Sequence, residues 1–293
     1  MKSEKGECFL MSDMILMDGA FGTSLWEKAE AQGIEKVPTW HYNMEHPELI
    51  RELVREYAEA GADCVQANTF SANRFSLKGS PYTVSEIVKA GIRITKEALA
   101  GTGKKTVLSV GPLPVLMEPY GDMEEDEAAD CYREIFEAAR GEGADLIDLE
   151  TFMDLEMMKV ALTEALKLGL PVLTTMTFEK SGRTLMGNPV EEIAKELKEA
   201  GASAIGMNCS LGPEEALPVI RKFSECTDLP LVFKPNAGLP VIGTDGKESR
   251  AYSAKAFADT VSEAIPFVSY LGGCCGTDPG FIRELRNMIC VKH

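Results

Sequence analysis

Short apolar runs alternate with amphipathic segments along most of the chain. The runs are rich in Val, Ile, Leu and Met, and most are too apolar to leave one face in water. Such runs are typical of strands that are buried on both faces of a parallel sheet. Eight strands are predicted in this way, at residues 14–18, 63–70, 106–112, 145–151, 171–178, 203–210, 230–238 and 267–276.

The segments between these runs have apolar residues at helical spacing. The segment HPELIRELVREYAEAGAD has Pro47 near its start and Gly61 just past its predicted end, where these residues are usual in helices. The similar phrases AEAGAD, GEGAD and KEAGAS precede the second, fourth and sixth predicted strands, with a glycine that can end each helix.

Eight β–α units in 293 residues predict an α/β fold, the (β/α)8 TIM barrel. We expect one domain over residues 1–293, with its core at about 13–289. A doubly wound open sheet is the alternative, but it rarely needs eight units of such regularity.

The charge of the chain narrows the class of its partners. The sequence has 30 basic and 46 acidic residues, a net charge of −16. This argues against nucleic acid and an anionic membrane surface, because phosphate binding needs clustered Lys and Arg. No apolar run approaches the ~18 residues of a membrane helix. We therefore expect a cytoplasmic protein, in which clustered cysteines indicate a metal or catalytic site rather than disulfides.

Cysteines lie at the ends of two predicted strands, Cys209 at the end of the sixth and the adjacent Cys274 and Cys275 at the end of the eighth. The carboxyl ends of barrel strands supply the reacting groups. Three thiolates with an open fourth position suit a catalytic zinc ion. The neighbouring glycines would allow backbone angles that let adjacent thiols face one metal. These glycines are Gly272, Gly273 and Gly276.

The clustered cysteines and the carboxylates at strand ends can also be interpreted as purely structural residues. Cysteine often acts as a small buried hydrophobe, and carboxylates such as Asp18 and Glu150 often cap loops. The two histidines before a predicted helix, His41 and His46, are interpreted as structural. The other cysteines are interpreted as structural or surface residues: Cys8, Cys64, Cys131, Cys226 and Cys290.

Seven segments resemble the homocysteine S-methyltransferase family: DGAFGT, QANTF, ETFMD, MTFEKSGRTLMG, GMNCSLGPEE, KPNAG and GGCCGTDP. Within that family the chain is most similar to the N-terminal homocysteine-binding barrel of the cobalamin-dependent methionine synthases. The resemblance covers about residues 13–289. It implies that Cys209, Cys274 and Cys275 bind zinc, and that the thiol of homocysteine takes the open position.

The resemblance also implies how the amino acid is held. Asp18, Gly19, Ala20 and Glu150 match positions that bind its amino and carboxylate groups. The backbone N–H groups at 19–20 suit the carboxylate, whereas the side chains of Asp18 and Glu150 suit the ammonium.

Two asparagines at strand ends, Asn208 and Asn236, are predicted from position alone to support the metal site or to contact the metal temporarily. No catalytic residue is predicted beyond the zinc site, because a metal-bound thiol loses its proton without a general base.

The methyl donor is not fixed by the sequence. Members of the family use methylcobalamin, betaine or S-methylmethionine. The betaine branch has Tyr after the strand 4 glutamate, in an aromatic setting for a quaternary ammonium, where this chain has Thr151. The similarity to the cobalamin branch implies methylcobalamin, which another protein or domain would carry because the chain has no D-x-H-x-x-G corrinoid motif.

Three alternatives to that function remain. The first is an S-methylmethionine-dependent homocysteine methyltransferase. The second is a related thiol methyltransferase within a corrinoid demethylation system, and the third is a zinc- or thiol-binding protein without catalysis. The acidic stretch GDMEEDEAAD after the third strand is either a docking surface for the partner or a solvated first turn of a helix.

Overall fold

Eight parallel strands form one sheet in a computed structural model that describes residues 14–238, 241–242, 248–249 and 251–291. The strands are β1 Ile15–Leu16, β2 Cys64–Gln66, β3 Lys105–Val110, β4 Leu146–Phe152, β5 Val172–Met176, β6 Ala204–Asn208, β7 Leu231–Lys234 and β10 Tyr270–Leu271. Each overlaps a predicted run. A short antiparallel pair, β8 Val241–Ile242 with β9 Glu248–Ser249, was not predicted. Cys8 lies outside the described residues.

The sheet closes almost completely into a barrel. Its strands follow the order β1, β10, β7, β6, β5, β4, β3, β2, and every pair is parallel. A parallel bridge between Met17 and Cys64 joins the first strand to the second. The predicted (β/α)8 barrel is therefore confirmed, and the doubly wound sheet is not what forms.

Helices follow the strands and cover the outside of the sheet. They are α1 Gly22–Ala31, α2 Tyr42–Glu45, α3 Pro47–Ala60, α4 Val84–Leu99, α5 Glu125–Ala139, α6 Leu155–Leu166, α7 Val190–Glu199, α8 Pro213–Cys226, α9 Ala254–Val261 and α10 Pro279–Val291. Helix α3 begins at Pro47 as predicted and ends before Gly61, whose φ of 105° is left-handed. No helix among the described residues is long and apolar enough to cross a membrane.

The acidic stretch after β3 forms the start of α5. Glu125, Asp126 and Glu127 occupy the first turn of this helix, where negative charge is stabilised by the helix dipole. The helical interpretation of these residues therefore suffices to explain them.

The interior of the barrel has an apolar floor and a polar layer above it. The floor contains one side chain from almost every strand: Met17, Cys64, Val107, Leu146, Leu173, Ala204 and Val232. Because side chains alternate across a strand, residues two positions further along also face the interior. Five of these residues are polar and buried: Gln66, Ser109, Asp148, Thr175 and Lys234. The fold thus places charged groups between the floor and the mouth of the barrel.

The packing of β6 against β7 leaves no room for a side chain at Gly206. A Cβ there would lie 1.9 Å from the carbonyl oxygen of Val232. We predict that Gly206→Ala lowers the free energy of unfolding by about 3 kcal/mol, the upper range for overpacking, in urea denaturation. Gly22→Ala is the control, because its Cβ would meet no atom closer than 3.9 Å and alanine favours a helix. Equal stability of the two variants would contradict this account of the β6–β7 contact.

Candidate functional site

Main-chain hydrogen bonds at the end of β7 hold both loops that carry the clustered cysteines. The N–H of Cys209 donates to the carbonyl of Lys234 at 3.0 Å, and the N–H of Cys274 donates to that of Pro235 at 2.9 Å. The N–H of Ala237 donates to the carbonyl of Cys275 at 2.9 Å. Because β6 and β10 flank β7, cysteines that are distant in sequence meet at the mouth.

The three sulfur atoms have the spacing of a metal site. Cys209, Cys274 and Cys275 offer Sγ atoms that all lie within 4.8 Å of one another, and those of Cys209 and Cys275 are 3.7 Å apart. A tetrahedral zinc ion with Zn–S bonds of ~2.3 Å separates its ligand sulfurs by ~3.8 Å. The three thiols therefore fit a zinc ion, both because sulfur is a usual zinc ligand and because the sulfur atoms have a suitable spacing.

The three thiols compete for protons. Hydrogen bonding with Cys274 and Cys275 lowers the pKa of the Cys209 thiol to about 3. The contacts with Cys209 and Cys275, followed by burial, raise the pKa of Cys274 well above its usual value. Thiols in such contact cannot all ionise without a compensating cation, and a divalent metal supplies that charge.

Backbone strain is concentrated around these cysteines. Among the described non-glycine residues, left-handed φ angles occur at Thr151, Cys209 and Ser210, with values of 67°, 58° and 56°. Each such conformation costs ~1–3 kcal/mol and persists where surrounding contacts enforce it. Strain of this kind is common at sites where side-chain direction matters.

The glycines beside Cys274 and Cys275 serve two purposes. Gly276 has a left-handed φ of 81°, as we expected for a residue that turns a thiol. Gly272 and Gly273 instead avoid collisions, since a Cβ would lie 2.7 Å from the carbonyl oxygen of Asp18 or 2.5 Å from Oγ1 of Thr277, respectively. This steric role was not predicted from the sequence.

The loop after β1 is fixed against the loop that carries Cys274. The N–H of Ala20 donates to Thr277 Oγ1 at 3.1 Å, and that hydroxyl donates to the carbonyl of Cys274 at 2.8 Å. The hydroxyl of Tyr57 donates to the carbonyl of Ala20 at 2.7 Å. Gly19 and Ala20 both line a cavity that opens at the mouth of the barrel. A ligand carboxylate would share the N–H of Ala20 with Thr277.

Asp18 is completely buried beside this loop. One carboxylate oxygen, Oδ2, accepts from the N–H of Gln66 at 2.7 Å. The other, Oδ1, has no hydrogen-bond partner among the described residues. Burial raises the pKa of Asp18 to about 7, although Lys234 and the N–H of Gln66 oppose this shift.

Glu150 accepts hydrogen bonds on both carboxylate oxygens. Gln66 Nε2 and the hydroxyl of Ser109 each donate to Oε1 at 2.6 Å. The ammonium of Lys234 lies 2.9 Å from Oε2, to which Asn208 Nδ2 donates at 3.3 Å. The carboxylate is therefore held in one orientation at the wall of the cavity.

The buried group that supports Glu150, Lys234, was not predicted from the sequence. Lys234 also lies 2.8 Å from Asp148 Oδ2, to which Gln66 Nε2 donates at 3.1 Å. Burial raises the pKa of Asp148 to about 6. Burial alone would lower the pKa of Lys234, but Asp148, Glu150 and Asp18 hold it well above its usual value. The sequence did carry a signal of this group, because Lys234 is a charged residue at an inward-facing position of an otherwise apolar strand.

The two predicted asparagines have different surroundings. Asn208 is fully buried, and its Nδ2 donates to Thr151 Oγ1 at 2.8 Å and approaches Cys274 Sγ at 3.7 Å. The N–H of Thr151 donates back to Asn208 Oδ1 at 2.7 Å, which holds Thr151 in its left-handed conformation. Asn236 is buried beside Cys209, and its Oδ1 has no partner among the described residues.

The cavity at the mouth of the barrel has a volume of about 760 Å³ and lies above these groups. Its polar end is formed by Gln66, Glu150, Cys209, Cys274 and Cys275, and its apolar wall includes Phe21, Trp26, Val37, Pro38 and Phe70. The described histidines His41 and His46 do not line it.

Stability should depend on pH through Asp18. The folded protein keeps a proton on this carboxyl up to about pH 7, whereas the unfolded chain loses it near pH ~4. Between these values the folded state binds more protons, so the free energy of unfolding falls as pH rises. We predict that Asp18→Asn gains about 4 kcal/mol relative to wild type between pH 4 and 8, measured by denaturant titration. Parallel curves for the two proteins would contradict this, and Asp259→Asn at the surface is the control.

Comparisons with known proteins show which family the chain resembles. The model of the homocysteine S-methyltransferase family matches residues 15–289. The methionine synthases of Mycobacterium leprae and Mycobacterium tuberculosis are 32% and 31% identical over 302 and 301 residues, and each match covers 94% of this chain. The chain spans about a quarter of the length of these relatives, 24% in both cases.

A solved structure shows the same fold. The homocysteine methyltransferase MmuM from Escherichia coli, in its oxidized and metallated forms, superposes with TM-scores of 0.78 and 0.77 at 24% identity. Each superposition covers 94% of this chain and 96% of the other. On the extent of the family match, which takes in every strand of the barrel, the chain belongs to the homocysteine S-methyltransferase family.

Proposed function

We propose that this chain is a zinc-dependent methyltransferase that moves a methyl group to the thiol of L-homocysteine and forms methionine. The observation that carries the proposal is the convergence of three cysteine sulfurs within 4.8 Å at the polar end of the cavity. Membership of the family supports homocysteine as the acceptor.

Cys209, Cys274 and Cys275 would hold the zinc ion. When bound, zinc lowers the pKa of a fourth thiol, and three thiolate ligands leave that sulfur nucleophilic. A general base is then unnecessary. In the reaction the S–CH3 bond forms as the bond between the methyl group and its donor breaks, and the donor keeps the bonding electron pair.

The buried charges beneath the cavity favour an acceptor with an amino group. Asp18, Asp148 and Glu150 supply three carboxyl groups, whereas Lys234 supplies one ammonium. A substrate ammonium near Asp18 and Glu150 would offset part of this excess. The N–H groups of Gly19 and Ala20 remain the predicted partners of the carboxylate, and Asn208 and Asn236 the predicted support for the metal ligands.

We further infer that the methyl donor is methylcobalamin carried by another protein or domain. The cavity is much larger than homocysteine requires, and exposed apolar side chains lie on loops at the same end of the barrel. They lie on loops after β2, β3 and β5 and are 40–69% exposed: Phe70, Leu116, Tyr120 and Leu185. A protein-borne donor would cover them.

Composition and charge support a protein that lies in the cytoplasm and does not bind nucleic acid.

S-methylmethionine is the second candidate donor. The aromatic side chains of Phe21, Trp26 and Phe70 line the cavity, and aromatic faces attract a cationic sulfonium as they attract an ammonium. This donor would need no partner protein.

Loss of one zinc ligand should abolish both metal binding and activity. We predict that Cys274→Ala lowers zinc content from one ion per chain to below ~0.1 and methionine formation by at least ~100-fold. Metal analysis and a methionine assay measure the two effects. Cys290→Ala, at an exposed cysteine, is the matched control. Stoichiometric zinc with wild-type turnover in Cys274→Ala would refute the proposed mechanism.

A charge on one of the exposed apolar side chains tests whether the methyl donor is carried by a protein. We predict that Leu185→Glu raises KM for a methylcobalamin-carrying protein by about 10-fold, because the charge prevents burial of an apolar contact. KM for homocysteine should stay unchanged. Leu166→Glu is the control, since Leu166 is 37% exposed at the C-terminal end of α6, which leads into β5 at the opposite end of the barrel. Efficient methyl transfer from free S-methylmethionine, with none from methylcobalamin, would favour the second donor.

A further inference from the structure

Lys234 is an unusual residue for the interior of a barrel strand. It is 1% exposed, and it is the only Lys or Arg among the buried residues of the described chain. Its strand, LVFK, is otherwise apolar, and Val232 belongs to the floor of the barrel. A buried ammonium is costly unless it is paired and hydrogen-bonded, so its partners indicate what it does.

The ammonium of Lys234 contacts two carboxylates of β4. It lies 2.8 Å from Asp148 Oδ2 and 2.9 Å from Glu150 Oε2. Gln66 Nε2 connects the same two acids from β2, at 3.1 Å and 2.6 Å. Asp148 does not line the cavity, whereas Glu150 does. Only one of the two acids can therefore meet a ligand directly.

The same lysine is connected to the sulfur atoms. Its carbonyl accepts from the N–H of Cys209 at 3.0 Å. Its ammonium reaches Glu150, to which Asn208 Nδ2 also donates, and that amide nitrogen lies 3.7 Å from Cys274 Sγ. Lys234 is thus connected by hydrogen bonds both to the carboxylate of Glu150 and to the loop that carries Cys209.

Glu150 would otherwise stand in an unfavourable field. The buried carboxyl groups of Asp18 and Asp148 lie close to it, and Asp148 shares the ammonium of Lys234 with it. Like charges in a buried region disfavour one another strongly. A fixed cation is needed there if Glu150 is to face the cavity as an oriented carboxylate.

We propose that Lys234 is a positioning residue for recognition of the amino group of the thiol acceptor. Its ammonium offsets the charge of Glu150 and fixes the carboxylate toward the cavity. The inference rests on the proposed methyltransferase function, from which it takes the acceptor. A purely structural role would instead make Lys234 the counter-ion of Asp148, with no effect on which thiol binds.

Binding of two thiols separates these roles without turnover. Homocysteine and 4-mercaptobutanoate differ only in the amino group, and calorimetry on zinc-loaded protein gives the Kd of each. We expect wild type to prefer homocysteine and Lys234→Met to lose at least ~10-fold of that preference, with zinc still at one ion per chain. The Kd of 4-mercaptobutanoate should change by less than ~3-fold. Lys222→Met, which removes an ion pair with Glu191 at the surface, should behave as wild type.

A double variant keeps the test decisive if Lys234→Met folds poorly. In Asp148→Asn/Lys234→Met the buried acid that lost its partner is neutral, so thermal stability should recover. The preference for homocysteine should stay reduced, because Glu150 still lacks its cation. Recovery of the preference together with stability overturns the proposal, as does a wild-type preference in folded, zinc-loaded Lys234→Met.

Failure of the proposed function is distinguishable from failure of this inference. If wild type prefers homocysteine but no donor yields methionine, the methyltransferase function is contradicted while the role of Lys234 in binding is still decided by the variants. If wild type binds both thiols equally, the amino-group role of Lys234 is overturned.

Discussion

The main-chain hydrogen bonds at the end of β7 are the contacts on which the site depends. They join Lys234 and Pro235 to Cys209 on one side and to Cys274 on the other. Parallel strands in a closed barrel end at one common mouth, so these bonds bring together sulfurs from β6 and from the last strand. Displacement of β7 would therefore move the thiols of the two loops apart.

The charged layer beneath the mouth is a consequence of the apolar floor below it. The floor is apolar and buried, so it offers the charged groups above it no hydrogen-bond partner, and they pair with one another. Gln66, Ser109, Asn208 and Lys234 do this for Glu150. Oriented groups of this kind need no rearrangement when a charged ligand arrives, which is how a rigid barrel supports recognition.

Strain in the loops is held by the same contacts. Thr151 keeps its left-handed backbone because its N–H and hydroxyl both bind the amide of Asn208. Cys209 and Ser210 share this conformation, and the N–H of Cys209 is tied to β7. The loops that carry these residues are therefore fixed to the sheet.

The sequence by itself predicted the barrel and residues that meet at its mouth. Apolar runs at regular spacing predicted the eight strands, and the polar residues at their ends included Cys209, Cys274, Cys275 and Glu150. Local pattern reports which face a residue takes, but not what it meets across the barrel. Only the tertiary structure therefore brought Lys234 to Asp148, which is 86 residues away, and showed that Gly272 and Gly273 prevent steric clashes. Those contacts depend on strand order and closure, which no short segment encodes.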